Sequence, residues 1–483
     1  MIQKYLAKYK CLPVQVRASF WFLICSFLQK GISMITTPVF TRLLNTAEYG
    51  QFSVFNSWLG ICTVIVSLQL YAGVFTSGLV KFDEERSVFT SSIEGLCTTL
   101  VLVWTIIYLL LHDFWNNLFQ LTTVQMLAML LMIWTTAIFN FWSIDQRVDF
   151  KYRKLVVITL IVSLAKPILG IVLVLNAHDK VTARILGLAL VELIAYSCFF
   201  FYHMKKGKVY YSKKFWKYAL MFNIPLIPHY LSMTVLSSSD RIMISQMCGD
   251  AQAGIYNLAY SVSQIMTMFN TALLSTLEPW IYKKIKAKEI KDISHVAYPS
   301  FIAIAVLNIL LIAFAPEVIS IFAPPEYKSA IWVIPPVAMS VYFTFLYTFF
   351  ATFEFYYNKT GLITLATTIG ALMNIVLNYI FINLYGYVAA GYTTLVCYVA
   401  FAIFHYIFMR KICYQYLKGT KPYSTKVMIG LSTLFLVIGF VFLATYTNTF
   451  IRYILILLLL ATMIINYRKI INAFKYMISL KKQ

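Results

Sequence analysis

Long uninterrupted runs of apolar residues constrain this chain more than any other feature. From Leu100 to Leu111, and again from Ile454 to Ile465, every residue except one Thr is apolar or aromatic. These runs do not alternate between polar and apolar residues, as a strand of a membrane barrel does, so they indicate membrane-spanning helices. Charged residues form only 12% of the chain, about half of the roughly 25% that is usual in soluble proteins.

Apolar runs of this kind recur along the whole sequence. The sequence therefore predicts an all-α integral membrane protein with about fourteen transmembrane helices. No loop between the runs is long enough to form a catalytic domain, so we expect a transporter and not an enzyme. The predicted spans lie near residues 18–40, 52–79, 88–111, 122–141, 155–175, 185–203, 216–238, 253–277, 295–322, 331–353, 361–383, 387–409, 427–446 and 452–467.

The net charge of +22 is distributed according to membrane topology. If both termini lie in the cytoplasm, the cytoplasmic segments contain 32 Lys and Arg residues and the outer loops contain 6, while Lys30 and Lys166 lie within spans. Such an excess is typical of cytoplasmic loops. We therefore predict a multi-pass protein with both termini in the cytoplasm, its first apolar run retained as a span, and no nucleic-acid partner.

The cysteines and histidines do not suggest a cofactor. The eight cysteines are scattered and form no Cys-x-x-Cys pair, and the six histidines lack the spacing of metal ligands. We therefore expect no disulfide framework, no metal site and no cofactor.

Two stretches indicate an internal repeat. Arg42–Phe52 and Arg241–Tyr256 each start with Arg at the predicted outer end of a span, and their glycines Gly50 and Gly254 are 204 residues apart. We predict two six-helix lobes in parallel orientation, residues 1–215 and 216–410, around a central cavity that holds the substrate. Residues 411–483 would add two helices and a basic cytoplasmic tail. The alternative is a chance similarity between membrane segments.

Four basic residues are candidates for a cationic substrate cavity, because a charge inside a span is costly unless it faces water or a partner. They are Lys30, Arg42, Lys166 and Arg241. Together they would suit a phosphate-bearing substrate. The alternatives are a structural ion pair between Lys166 and Glu192, and arginines that extend to the membrane surface.

Acidic residues and prolines within the spans suggest two further roles. Glu192 and Asp240 are candidates for proton or cation coupling. Pro225 and Pro228 lie in the first span of the second predicted repeat, where a proline removes a backbone donor. They are hinge candidates, although a simple packing kink is the alternative.

Six short motifs occur in order along the chain. They are PVFTRLLNTAEYGQF (Pro38–Phe52), IPLIPHYLSM (Ile224–Met233), SSDRIMI (Ser238–Ile244), AGIYNLAY (Ala253–Tyr260), EPWIYKK (Glu278–Lys284) and APPEYKSA (Ala323–Ala330). These motifs resemble those of polysaccharide flippases in the multidrug/oligosaccharidyl-lipid/polysaccharide (MOP) exporter superfamily, particularly Wzx-type flippases of O-antigen or capsule repeat units. The resemblance extends from about residue 17 to residue 409.

The resemblance implies a bacterial inner-membrane transporter with two lobes around a cavity. It would move undecaprenyl-pyrophosphate-linked oligosaccharides from the cytoplasmic to the periplasmic leaflet by alternating access. Basic residues on early spans contact the pyrophosphate in related flippases, which implies that role for Lys30, Arg42 and Arg241. The expected partners are this glycan lipid, membrane lipid, a polysaccharide polymerase and a chain-length regulator.

Two other functions compete with this hypothesis. A MATE-like, cation-coupled multidrug efflux transporter would rely on acidic residues and have nearer twelve spans. A membrane-embedded polysaccharide polymerase or glycosyltransferase would need a long outer loop or an acidic sugar-nucleotide motif, which the sequence lacks.

Overall fold

The computed structural model describes residues 13–466, and all regular secondary structure in that range is helical. The helices form two compact units, one up to Ile242 and one from Met243. The chain passes from one unit to the other inside a helix. The six-helix lobes that we predict, with a boundary after residue 215, remain a prediction.

Among the described residues, the first unit contains ten helices, the last of which continues into the second unit. They are α1 (Val14–Leu43), α2 (Thr46–Ser67), α3 (Val74–Lys81), α4 (Arg86–Leu110), α5 (His112–Phe119), α6 (Thr123–Val148), α7 (Tyr152–Asn176), α8 (Lys180–Gly207), α9 (Lys213–Asn223) and α10 (Ile227–Cys248).

In the second unit, the part of the chain up to residue 466 forms nine further helices. They are α11 (Asp250–Ser263), α12 (Met266–Ala287), α13 (Ile293–Ala313), α14 (Ala315–Phe322), α15 (Ile334–Tyr356), α16 (Thr360–Tyr385), α17 (Ala389–Tyr416), α18 (Thr425–Ala444) and α19 (Thr449–Ile465). Short 3₁₀ segments interrupt the chain at Ile224–Leu226, Ile290–Asp292, Pro325–Trp332 and Thr445–Thr447.

Twelve helical stretches in the described residues are long and apolar enough to cross a membrane. The all-helical membrane fold is thus confirmed. The two other predicted spans have different forms: residues 253–277 are divided between α11 and α12, and residues 452–467 correspond to α19 of 17 residues. A helix of about 17 residues is at the lower limit for crossing a bilayer.

The second predicted span, 52–79, is broken. Helix α2 ends at Ser67, and Leu68 and Gln69 both adopt positive φ angles, 50° and 51°, before α3 begins at Val74. The hydropathy of this stretch is continuous, so the sequence pattern does not reveal the break. Irregular backbone at membrane depth requires that neighbouring groups bind its freed carbonyls.

Helices α7 and α8 pack unusually closely. A Cβ atom added to Gly187 on α8 would lie 2.8 Å from the Cα atom of Gly170 on α7, so a larger residue at Gly187 would push the helices apart. Small residues permit this approach between membrane helices. The contact fixes the spacing of the two helices that carry Lys166 and Glu192.

Candidate functional site: charged groups inside the spans

Lys166 and Glu192, predicted separately as a substrate-binding and an ion-coupling residue, are brought together. The Lys166 Nζ atom donates to Glu192 Oε1 over 2.6 Å, and Glu192 is only 3% exposed. The second carboxylate oxygen accepts hydrogen bonds from Thr135 at 2.9 Å and from Thr136 at 3.1 Å. This network ties α6, α7 and α8 together, and an anion that approaches Lys166 must compete with Glu192.

Lys30 lies on an open face of α1. Its side chain is exposed, and a Cβ atom on the neighbouring Gly31 would meet no atom within 4 Å. On the other side of Lys30, the Gln29 amide donates to the Ser163 hydroxyl of α7 over 3.3 Å. Within residues 13–466 Lys30 forms no ion pair, so its charge is available to an external group.

Arg42 and Arg241 make the same local contact in different surroundings. Arg42 Nη1 donates to the Pro38 carbonyl over 2.8 Å, and Arg241 Nη1 donates to the Ser237 carbonyl over 2.6 Å. Each bond spans four residues. Arg42 is exposed in the last turn of α1, whereas Arg241 is 9% exposed and follows the fully buried Asp240.

Arg241 lies inside a helix. Helix α10 continues to Cys248, beyond residue 238, where we predicted the apolar segment to end. The polar stretch Ser237–Arg241 is buried or half-buried instead of forming a loop. A hydropathy pattern ends such a helix too early. Polar residues that have partners inside the protein look like loop residues in that pattern.

Arg184, at the beginning of α8, is a candidate that the sequence pattern did not reveal. Its guanidinium carbon lies 3.6 Å from the centre of the Phe52 ring and 3.9 Å from that of Phe40. Stacking on aromatic faces stabilises an arginine. The sequence carries no signal for this contact, because Arg184 is far from both rings along the chain.

Each unit contains a buried carboxylate–imidazole pair that the sequence did not predict. In the first unit, Glu94 on α4 lies 2.5 Å from His203 Nδ1 on α8. In the second, Glu354 on α15 lies 2.7 Å from His405 Nδ1 on α17. All four side chains are at most 4% exposed. Partners 109 and 51 residues apart leave no local signature in the sequence.

The hinge candidates Pro225 and Pro228 lie at a real interruption between helices. Pro225 is in the 3₁₀ segment Ile224–Leu226 and Pro228 is in the first turn of α10. Just before them, the buried Asn223 amide donates to the carbonyls of Leu68 and Gln69 over 2.7 and 2.9 Å. This amide binds the carbonyls freed by the break between α2 and α3, so the two interruptions touch.

No group of three or more His, Cys, Asp or Glu side chains in the described part of the chain is arranged to hold a metal ion. The polar groups inside the spans are cations, carboxylates, hydroxyls and amides. Their chemistry suits the binding of anions and protons by the protein's own side chains.

A family model described as "Polysaccharide biosynthesis protein" matches residues 16–285, more than half of the chain. The chain belongs to this family. A second model, MatE, matches residues 225–380, which agrees with membership of the MOP superfamily. A relative from Haemophilus influenzae, "Lsg locus putative protein 1", is 21% identical over 370 residues, which cover 73% of this chain and 87% of the relative.

Solved structures share the fold of this family member. The lipid II flippase MurJ in an inward closed conformation matches with a TM-score of 0.61 and 15% identity, over 93% of this chain and 99% of that one. An inward-facing MATE multidrug transporter of the MOP superfamily matches with a TM-score of 0.60 and 14% identity, over 81% and 96%. At these identities the likeness establishes the fold, and this polysaccharide biosynthesis protein is a multi-pass membrane protein.

Proposed function

We propose that this chain is a flippase that moves undecaprenyl-pyrophosphate-linked oligosaccharide repeat units from the cytoplasmic to the periplasmic leaflet. Transport would proceed by alternating access and supply O-antigen or capsular polysaccharide assembly. The observation that carries the proposal is the family match over residues 16–285, which includes every cation that we assign to the substrate. The likeness to a lipid II flippase supports the same substrate class.

In this proposal the basic residues bind the pyrophosphate. Lys30 is exposed and without an ion-pair partner among residues 13–466, so it would meet the headgroup first. Arg42 and Arg241 would supply guanidinium groups, which bind phosphate oxygens in pairs. Lys166 would exchange Glu192 for the substrate, because a dianionic headgroup offers a stronger counter-charge than one carboxylate. Arg184 would add a fifth cation.

Energy coupling is assigned to the carboxylates. Glu192 would bind a proton or another cation when Lys166 turns to the substrate, since it would otherwise remain buried as an isolated charge. Asp240 is the second coupling candidate because it is fully buried next to Arg241. Pro225 and Pro228 would act as the hinge.

The proposed location is the bacterial inner membrane with both termini in the cytoplasm, as the distribution of Lys and Arg predicts. The proposed partners besides the glycan lipid and membrane lipid are a polysaccharide polymerase and a chain-length regulator. Both act on the product after it reaches the periplasmic leaflet.

Complementation of a deletion strain tests the proposal. We expect Lys30→Ala or Arg241→Ala to abolish surface polysaccharide while the amount of protein in the membrane stays normal. Lys328→Ala is the matched control, because Lys328 is an exposed lysine in the 3₁₀ segment Pro325–Trp332. Surface polysaccharide at the control level in both test variants would overturn the role of these cations.

Multidrug efflux is the second candidate, favoured by the MatE match over residues 225–380 and by the MATE fold. The two functions differ in what the deletion strain loses. Increased accumulation of a cationic dye together with unchanged surface polysaccharide would favour efflux over glycan transport.

A further inference from the structure

A cavity of about 620 Å³ opens at one end of the first unit. It lies where α1, α4 and α7 begin and where α6 and α8 end, which is the side predicted to be cytoplasmic. Its volume is within the usual range of about 300–1,000 Å³ for small-molecule sites. None of the residues assigned to transport lines it.

Cations outnumber carboxylates around this cavity. Two carboxylates, Asp145 and Asp149, are among the lining groups. The cations of the lining are Arg17, Arg86, Lys151, Arg153, Lys154 and Lys206.

Two of the six cations, Arg86 and Lys151, form ion pairs with the two carboxylates. Arg86 bonds Asp145 through Nε at 3.0 Å and Nη2 at 2.7 Å, and its Nη1 bonds Asp149 at 2.7 Å. Lys151 also bonds Asp149 at 2.7 Å. Burial acts to raise the pKa of Asp149, but the hydrogen bonds from Lys151 and Arg86 outweigh it and lower this pKa, so the carboxylate stays ionised.

Three of the remaining cations have no internal counter-charge. In the part of the chain that the structure describes, Arg153, Lys154 and Lys206 form no ion pair. Like charges held around one cavity repel each other, and an anion in the cavity relieves that repulsion. The Arg86–Asp145–Asp149 cluster joins the helices of the cavity wall, and within residues 13–466 Arg153, Lys154 and Lys206 line the cavity as unpaired charges.

The aromatic residues near the cavity are of the kind found at the depth of lipid headgroups. Trp21 on α1 stacks on Tyr152 of the lining, with ring centres 6.5 Å apart and planes 6° apart. Arg147 lies over the Phe22 ring at 5.3 Å. Tryptophan and tyrosine concentrate at the membrane–water boundary, and basic pockets between helix ends on the cytoplasmic side bind anionic headgroups.

We propose that this cavity binds the phosphate-bearing headgroup of an anionic membrane lipid, separately from the transported substrate. Arg153, Lys154 and Lys206 contact the phosphate, and the Tyr152 and Tyr202 side chains border the headgroup. The proposal holds whether the substrate is a glycan lipid or a drug, because it depends only on the end of the first unit.

The test compares two triple variants of the full-length protein, titrated with phosphatidylglycerol in detergent and measured by native mass spectrometry. Arg153→Gln/Lys154→Gln/Lys206→Gln should weaken phosphatidylglycerol binding about a hundredfold, because three cations at roughly 1 kcal/mol each near a lipid surface sum to about 3 kcal/mol. The control is Lys205→Gln/Lys208→Gln/Lys213→Gln. It removes three charges from exposed lysines near the end of α8 that do not line the cavity.

The control should change the affinity for phosphatidylglycerol less than about twofold, because salt screens exposed charges that do not contact the lipid. Equal losses in both variants, or no loss in the first, would overturn the proposal. If the triple variant fails to fold, Lys206→Gln is compared with Lys205→Gln, whose side chain is next to it but does not line the cavity. Equal affinities of these two proteins would also overturn it.

A second titration separates a lipid from a soluble phosphate compound. Inorganic pyrophosphate is added to the protein in phosphatidylcholine nanodiscs. Binding as tight as that of phosphatidylglycerol, and lost in the Arg153, Lys154 and Lys206 variant, would assign the cavity to a soluble ligand and overturn the lipid assignment. Weak or absent binding supports it.

Discussion

The neighbouring spans α7 and α8 of the first unit are joined differently from α16 and α17 of the second unit, which correspond to them in the predicted repeat. Lys166 and Glu192 join α7 and α8 by an ion pair of 2.6 Å. In the second unit, the Thr393 hydroxyl donates to the Asn378 amide oxygen, and Asn378 in turn donates to Asn374 over 3.2 Å. Thr393, Asn378 and Glu192 are buried, whereas the Lys166 side chain is 27% exposed.

The second pair shows that two neighbouring spans of this protein can be linked without charge. Neutral amides and hydroxyls link membrane helices at a smaller desolvation cost than ions do. The first unit therefore carries a charged pair where a neutral one suffices. A residue type that stability does not demand is a candidate for function, which agrees with the roles proposed for Lys166 and Glu192.

The largest expected loss of stability comes from removing one partner of the Lys166–Glu192 ion pair. Glu192→Leu leaves the Lys166 ammonium without its counter-charge, and loss of one partner of a buried pair costs about 3–5 kcal/mol. We expect the low end of this range because the Lys166 side chain is 27% exposed. The readout is the melting temperature of the protein in detergent.

The double variant Lys166→Met/Glu192→Leu separates structure from function. We expect it to regain most of the stability, because no buried charge remains, and to stay inactive in surface polysaccharide assembly. Normal polysaccharide production by the double variant would assign the pair to structure alone. A Glu192→Leu protein as stable as the wild type would contradict the prediction itself.

An effect of intermediate size is expected at the buried Glu–His pairs. They extend the comparison of the two units, because each unit contains a pair of the same chemistry. His203→Leu and His405→Leu each leave a buried carboxylate oxygen without its imidazole partner, at a cost of about 1–3 kcal/mol. We expect similar losses of thermal stability in the two variants. Glutamine at either position should recover part of the loss by restoring a donor, and a loss in only one unit would contradict the prediction.

The smallest effect is expected in the neutral link of the second unit. Thr393→Val removes the hydroxyl that binds Asn378, and interhelical hydrogen bonds in membranes contribute about 0.6 kcal/mol on average. The melting temperature should fall slightly and polysaccharide production should be unchanged. A loss as large as that of Glu192→Leu would remove the distinction between the two links.

The spans were predictable because hydropathy is a local property. The predicted segments 88–111 and 155–175 agree closely with α4, Arg86–Leu110, and α7, Tyr152–Asn176. Errors occur where polar residues find partners inside the protein. Helix α6 continues to Val148, beyond the predicted end at residue 141, and Asp145 near its end binds Arg86 from α4.

The candidate site was only partly predictable. Lys166 and Glu192 were visible in the sequence because a charge within an apolar run is conspicuous, and their pairing was an open alternative. The Glu94–His203 and Glu354–His405 pairs were not visible, since each joins residues from distant segments. Arg184 was not predicted because its position near a helix end is ordinary for arginine, and only tertiary structure brings Phe40 and Phe52 to it.

The Asn223 amide has a consequence for how the first unit can bend. The Asn223 side-chain nitrogen donates to both the Leu68 and the Gln69 carbonyl. These two hydrogen bonds connect the helix interruption before α3 with the interruption at Pro225. Straightening either segment alone would strand a polar group in hydrocarbon, which costs several kcal/mol. The two kinks are thus energetically interdependent, although 155 residues separate Asn223 from Leu68 along the chain.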